Sequence, residues 1–169
     1  MKIIKRLTDA DIIGTNELSN AKPRRTARAV LKNNNNLYAL LYSGDFDFYS
    51  FPGGGIDENE SILSALKREI VEETGCTCDF IEELGIVEEN RAYCDYTQIS
   101  YYFVVTTESE KFNPSFTELE KQHSTTVAWH TLDEIIKLLT QPVYDTPQKK
   151  FLQARDTAAL NEYLKQINN

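Results

Sequence analysis

The segment that most constrains the fold is FPGGGIDENESILSALKREIVEETG, at residues 51–75, where three glycines precede an amphipathic pattern rich in carboxylates. Asn59 or Ser61 can cap the start of a helix, and Gly75 can end it in a left-handed turn. We therefore predict a helix over about residues 61–73, with the glycines directly before it.

Three glutamates at the end of this helix lie where they should weaken it. If Ile62 is set at zero on a helical wheel, Glu73 falls at about 20 degrees and Glu69 at about −20 degrees, within or beside the apolar stripe. The other predicted members of that stripe are Leu63, Leu66 and Ile70. Glu69, Glu72 and Glu73 are also like-charged neighbours at the negative end of the helix dipole. All these effects have the same sign, so we expect a compensating cation.

One arginine is too little to compensate the three carboxylates. Arg68 falls at about −120 degrees on the same wheel, which places it beside Glu72 rather than among the three. Carboxylates without histidine or cysteine make an oxygen-only site, and such a site suits Mg²⁺ or Mn²⁺. The glycines at residues 53–55 let the main chain approach a ligand closely. A Mg²⁺ site with open positions commonly shares its ion with substrate phosphates.

These residues resemble the Nudix box, whose pattern is G-x5-E-x7-R-E-U-x-E-E-x-G-U with U an apolar residue. The positions that fill it are Gly54, Glu60, Arg68, Glu69, Ile70, Glu72, Glu73, Gly75 and Cys76. Resemblance to the Nudix hydrolase family implies an α/β fold, namely an α/β/α sandwich around a mixed central β-sheet. It also implies hydrolysis of a nucleoside diphosphate linked to another moiety, with Mg²⁺ or Mn²⁺ as cofactor.

The resemblance also implies roles for the matched residues. Glu69, Glu72 and Glu73 become metal ligands, Gly53 becomes a carbonyl ligand of the metal, and Arg68 would orient a glutamate.

The resemblance leaves two sources for the catalytic base. The base is the box residue Glu69 in many family members, whereas in others it comes from a later loop. Here that loop offers Glu118 and Glu120, and Glu120 is favoured by its distance ahead of Trp129.

Two residues outside the box are candidates for substrate binding. Arg28 lies on a predicted strand beside the catalytic helix and could reach a phosphate, although a surface strand charge is the alternative interpretation. Tyr93 lies 17 positions beyond Cys76 (93 − 76) and is similar to the tyrosine that marks dinucleoside-polyphosphate hydrolases in the family. The moiety that the substrate carries, whether a nucleotide, a nucleotide sugar or a dinucleoside polyphosphate, stays open.

The remaining elements are predicted from β-prone runs and helical spacing. Strands are expected at residues 26–32 and 37–42, joined as a hairpin, and at 46–51, 79–88, 98–106 and 127–129. A capping box at residues 131–134 begins a second helix that ends near Pro142. A third helix, with Pro147 near its start, is expected towards the C-terminus.

Length and charge limit the classes of protein and partner. The 169 residues suit a single domain, residues 1–169, with an N-terminal extension over about 1–23 and a C-terminal helical extension over about 143–169. The net charge of −8 disfavours nucleic acid as a partner. The sequence has no apolar run long enough to cross a bilayer and no signal peptide, so we expect a cytoplasmic protein without membrane partners. A homodimer is compatible with the resemblance, since family members are often dimers.

Two other functions are compatible with a fold of this kind. A non-catalytic Nudix-like module that senses a nucleotide would often lack box carboxylates and be fused to a DNA-binding domain, and neither feature is found here. An isoprenoid diphosphate isomerase would need a catalytic cysteine, and no motif around Cys94 supports that role. We therefore expect a small-molecule nucleotide diphosphate as the substrate.

Overall fold

A mixed β-sheet with helices on both faces forms the protein, and the computed structural model describes residues 1–108 and 113–168, apart from the side chains of residues 119 and 120. The strands are β1 Ile3–Thr8, β2 Arg24–Asn33, β3 Tyr38–Ser43, β4 Phe48–Ser50, β5 Gly53–Gly55, β6 Phe80–Arg91, β7 Tyr96–Thr107 and β8 Thr125–His130. The helices are α1 Asp9–Ile12, α2 Ile62–Thr74, α3 Glu118–Gln122, α4 Leu132–Thr140 and α5 Pro147–Ile167, with a 3₁₀ turn at Ala92–Cys94. The predicted α/β class is confirmed.

The strands lie in the order β1-β6-β7-β2-β3-β4, while β5 pairs with β2 and β8 pairs with β3. Strand β2 is the centre of this arrangement, because it runs parallel to β7 over its whole length. Its first half also pairs antiparallel with β5, with Thr26, Ala27 and Arg28 opposite Gly55, Gly54 and Gly53. The glycine segment is therefore part of the sheet and is held at a fixed register beside β2.

Two apolar cores lie on opposite faces of the sheet. Successive side chains of a strand point to opposite faces, and Val30 and Leu31 on β2 accordingly enter different cores. Val30 packs in the core that includes residues of α4 and α5, whereas Leu31 packs in the core that includes Leu66 and Ile70 of α2. The sandwich that the resemblance implied is thus a three-layer structure, with α2 on the side of the second core and α4 and α5 on the side of the first.

Local sequence signals predicted the helix ends well. Helix α2 begins after Ser61, whose hydroxyl accepts the Ser64 N–H at 3.1 Å, and ends at Gly75 with a left-handed φ of 70°. In α4 the capping box is present, with Thr131 and Glu134 each accepting from the other's main-chain N–H. Pro147 is at the first turn of α5 after the cap residue Thr146.

Some expectations from the sequence were wrong or incomplete. Leu63, predicted to be in the buried stripe of α2, is 48% exposed because only Leu66, Ile70 and their neighbours face the sheet. The predicted hairpin exists, but β2 and β3 pair only at Lys32 and Tyr38, and β3 pairs mainly with β8. Strand β1, which was not predicted, runs parallel to β6 at the edge of the sheet.

None of the helices among the described residues is long and apolar enough to cross a membrane.

Candidate active site

The candidate site lies where the C-terminal half of α2 packs against β5. Leu66 and Ile70 are fully buried under the sheet, and this packing carries Glu69 and Glu73 inward with them. Glu69 is 9% exposed and Glu73 is 3% exposed, as their positions on the helical wheel predicted. The side chain of Glu72 is 37% exposed, so the three carboxylates form a graded set from interior to surface.

Glu73 is tied to the main chain of β5. The Gly53 N–H donates to Glu73 Oε2 at 2.5 Å. Gly53 has a φ of +132°, and a Cβ at this position would lie 2.2 Å from the Ala27 carbonyl oxygen. Only glycine adopts this φ readily and leaves room for the Ala27 carbonyl. Its presence allows β5 to pack against β2 and α2 at once.

Glu69 lies directly under the next glycine. A Cβ added to Gly54 would lie 2.5 Å from both carboxylate oxygens of Glu69. A side chain at Gly54 would therefore displace the Glu69 carboxylate. The absence of a side chain at this position lets the main chain of β5 approach the Glu69 carboxylate closely.

Arg68 binds one carboxylate that precedes α2, that of Glu60, and two that lie on α2, those of Glu69 and Glu72. Its Nη1 donates to Glu69 Oε1 at 2.8 Å and to Glu72 Oε2 at 3.3 Å. Its Nε and Nη2 donate to the two oxygens of Glu60 at 3.0 and 2.9 Å, and Nη2 also donates to the Gly55 carbonyl at 2.9 Å. The expectation that Arg68 lies beside Glu72 alone was wrong, because the helical wheel gives the direction of Cβ and not the reach of the guanidinium fork.

The electrostatics distinguish Glu69 from Glu60. Burial raises the pKa of Glu69, and the hydrogen bond and charge of Arg68 oppose that rise. Glu60 has a lowered pKa because it accepts hydrogen bonds from Arg68 and from the Asp57 N–H. The hydrogen bond to Glu60 is the main cause that raises the pKa of Arg68. Glu69 is therefore a carboxylate whose charged form is disfavoured where it lies, and an added cation would stabilise it.

The donor atoms fit a hard divalent cation in their chemistry. Glu69, Glu72 and Glu73 offer only oxygen, the ligand type that Mg²⁺ and Mn²⁺ prefer. Across residues 1–108 and 113–168, no three acidic, histidine or cysteine side chains converge closely enough to hold a metal ion. Instead of converging on one point, the carboxylates of Glu69 and Glu72 are both hydrogen-bonded to Arg68. The side chains would need to rotate to coordinate an ion together.

The loop with the alternative base candidates reaches the end of α2. The Ser115 N–H donates to the Glu72 carbonyl oxygen at 2.6 Å, which anchors this loop just before α3. Glu118 is highly exposed and forms an ion pair with Lys121 at 2.8 Å. Glu120 lies in α3, but its side chain is outside the described part of the chain. The structure thus brings the loop to the site without placing the Glu120 carboxylate.

Arg28 and Tyr93, the two substrate-binding candidates, line one cavity of about 660 Å³. Arg28 is opposite Gly53 in the β2–β5 pairing, so the cavity adjoins the glycine segment. The Nη1 of Arg28 donates to the Phe51 carbonyl oxygen at 3.1 Å. Tyr93 stacks on Phe151 of α5 with ring centres 6.1 Å apart, and its N–H donates to Asp9 at 2.8 Å.

Sequence reasoning missed the contribution of α5 to this cavity. Arg155 of α5 is 2% exposed and lines the cavity together with Arg28. Its Nε donates to Asp156 Oδ1 at 2.8 Å, and Tyr102 also donates to Asp156. The adjacent Arg155 and Asp156 in the predicted C-terminal helix were the one available signal, but the sequence does not show which strand this pair faces.

Comparison with known proteins shows the family of the chain. The sequence matches the NUDIX domain family over residues 22–154. This chain belongs to the NUDIX family. Membership makes it a pyrophosphohydrolase of the Nudix type, and the resemblance seen in the sequence is confirmed. No curated protein matches the chain significantly.

Solved structures show the same fold. A NUDIX hydrolase from Nitrosomonas europaea is 24% identical, with a TM-score of 0.62 over 86% of this chain and 90% of that one. The NUDIX domain of Shewanella oneidensis NrtR, in complex with ADP ribose, is 17% identical, with a TM-score of 0.64 over 87% and 90% of the two chains. A MutT NUDIX hydrolase from Burkholderia pseudomallei is 19% identical, with a TM-score of 0.53 over 80% and 98%.

Proposed function

We propose that this Nudix protein is a Mg²⁺- or Mn²⁺-dependent hydrolase that cleaves the pyrophosphate linkage of a nucleoside diphosphate linked to another moiety. Water attacks phosphorus, and the products are two phosphorylated fragments. The single observation that carries the proposal is the packing of α2 against β5. It brings Glu69 and Glu73 within contact distance of the glycine main chain and leaves Glu72 beside them.

The ligands of the metal ion would be Glu69, Glu72, Glu73 and the carbonyl of Gly53. When bound, the ion would neutralise charge on the pyrophosphate and lower the pKa of the attacking water. The buried Glu69 would be stabilised by this ion, because burial disfavours its charged form.

The other residues would position the carboxylates, accept the proton of the attacking water and contact the substrate. Arg68 orients Glu69 through its 2.8 Å hydrogen bond and keeps Glu72 close to it. A carboxylate must accept the proton of the attacking water, and Glu69 and Glu120 are the candidates for this base. Arg28 and Tyr93 would contact the substrate from the cavity beside Gly53.

A turnover screen tests the proposal. Purified protein is incubated with nucleoside triphosphates, nucleotide sugars, ADP-ribose and dinucleoside polyphosphates, with Mg²⁺, with Mn²⁺ or after removal of metal ions. Product masses then identify the cleaved bond. We expect turnover of at least one class with either ion and none without. Nucleotide binding without turnover under every condition would favour the alternative, a non-catalytic nucleotide-sensing module.

A further inference from the structure

The cavity beside the glycine segment is strongly basic in an acidic protein. Four arginines line it, on three separate parts of the fold: Arg24 and Arg28 on β2, Arg91 at the end of β6, and Arg155 on α5. Among the described residues that line it there is no Asp or Glu. The whole chain carries a net charge of −8, so this concentration of positive charge is local to one cavity.

Two of these arginines are balanced by carboxylates behind the cavity wall. Arg155 Nε binds Asp156, and Arg91 Nη2 binds Glu89 Oε1 at 2.5 Å. Asp156 and Glu89 are both buried and do not line the cavity. Their ion pairs fix the planes of Arg91 and Arg155 and leave little net charge on this side of the cavity.

Arg24 and Arg28 supply the uncompensated charge. Neither takes part in the arginine ion pairs found among the described residues, although the charges of Asp156 and Glu73 both act on Arg28. The Nε of Arg28 is buried and has no hydrogen-bond partner there. A bound anion would supply the acceptor that this buried N–H lacks. Two cations match the charge of one phosphate group.

Two arginines of the cavity belong to the strand that pairs with the glycine segment. Arg28 pairs with Gly53, and Arg24 lies on the same strand, opposite Gln98 of β7. The guanidinium of Arg24 would lie 3.4 Å from a Cβ at Gly55. Both free arginines therefore stand next to β5. A second cavity of about 200 Å³ shares Arg28, Gln148, Leu152 and Arg155 with the first, so the basic region extends along α5.

We propose that the substrate carries at least one phosphate beyond the two that flank the cleaved bond, and that Arg24 and Arg28 bind it in this cavity. The inference rests on the proposed function for the cleavage itself and names the class of substrate. Guanidinium groups bind phosphate through paired, charge-assisted hydrogen bonds, which suits the open arginines of this cavity. A substrate with a neutral second moiety would leave this charge unused.

Matched substrates and matched variants test the proposal. Diadenosine tetraphosphate is compared with diadenosine diphosphate, and a nucleoside triphosphate with its diphosphate, by kcat/KM. The variant is Arg24→Gln, and the control is Arg25→Gln, a neighbouring exposed arginine whose guanidinium lies over the ring of Tyr101 and which does not line the cavity. Calorimetric titration of inorganic tripolyphosphate into metal-free protein gives a second readout that needs no turnover.

The wild type should prefer the member of each pair with more phosphates by about tenfold or more, as one charge-assisted contact allows. Arg24→Gln should reduce that preference and weaken tripolyphosphate binding by about tenfold, whereas Arg25→Gln should change neither. Equal kcat/KM within both pairs, or equal effects of the two variants, would overturn the inference while leaving the hydrolase intact. Tripolyphosphate binding that depends on Arg24, with no hydrolysis of any substrate, would support the cavity and reject the proposed function.

Discussion

The N–H of Gly53 donates to Glu73 Oε2 at 2.5 Å, and on the neighbouring strand Arg28 is the register partner of the same glycine. One residue of β5 thus separates the carboxylate end of α2 from the basic cavity. A diphosphate whose one end is held by cations near Glu73 would have its other end directed towards Arg28. The close pairing of β2 and β5 is therefore what joins the two halves of the proposed site.

Gly54→Ala should reduce hydrolysis by about tenfold or more without unfolding the protein. The added Cβ would lie 2.5 Å from both oxygens of Glu69, and a flexible carboxylate can move away from it at small cost to stability. Activity assays and thermal melts measure the two effects. Gly55→Ala is the matched control, because its Cβ would meet only the Arg24 guanidinium at 3.4 Å. An alanine at residue 54 with full activity would contradict the close approach described here.

Arg68→Lys should lower kcat by about tenfold or more even though the charge is kept. The guanidinium binds Glu60, Glu69 and Glu72 at once, whereas a single ammonium cannot reproduce this fork. Steady-state kinetics at saturating Mg²⁺ measures the effect, and a melting curve reports on folding. If the lysine variant retained the wild-type kcat, Arg68 would not be needed to position Glu69.

Thr131→Ala should lower the free energy of unfolding by about 1 kcal/mol, since it removes the cap of α4. Hydrolysis should be unchanged, because α4 packs in the core opposite α2. Urea denaturation gives the stability difference. Thr140→Ala, at the other end of α4, serves as the comparison, since its hydroxyl only bonds back to the Ile136 carbonyl. If the two variants lost the same free energy of unfolding, the Thr131 cap would not stabilise α4.

Glu162→Gln should lower the melting temperature at neutral pH. This difference from the wild type should disappear in acid. A hydrogen bond from Lys2 is the main cause that lowers the pKa of Glu162 below its usual 4.5, and Lys165 adds to it. Because the folded pKa is the lower one, the stabilisation is complete above about pH 4.5 and disappears as the pH falls through the folded pKa. Thermal melts of both proteins across pH 3 to 7 (roughly the range in which carboxyls titrate) measure the difference. The exposed Glu82→Gln variant controls for the removal of one charge, and a pH-independent difference at Glu162 would contradict the assignment.

Local features of the sequence predicted much of this structure. Ser61 and Gly75 set the ends of α2, and Thr131 with Glu134 set the start of α4, because caps depend on residues within one turn. The burial of Glu69 and Glu73 followed from helical spacing alone.

Features that depend on distant contacts were not predicted. Leu63 was expected in the core, but it is 48% exposed and lines an open cavity beside Tyr101 and Phe103 of β7. Arg155 reaches the cavity only because α5 folds back over β1, β4 and β6, which no local pattern shows. Strand β1 is defined by its parallel pairing with β6, about eighty residues later. The clustering of the carboxylates was thus predicted from the sequence, whereas the basic cavity was predicted only in part, through Arg28 and Tyr93.

The most direct measurement of the central claim is the metal-dependent turnover of Glu72→Gln. Glu72 is the most exposed of the three carboxylates, so an isosteric amide there should leave the fold intact, as circular dichroism and a melting curve can verify. The account predicts that this variant folds normally and loses nearly all Mg²⁺-dependent hydrolysis of a substrate that the wild type cleaves. Wild-type turnover by Glu72→Gln at saturating Mg²⁺ would contradict the assignment of the site.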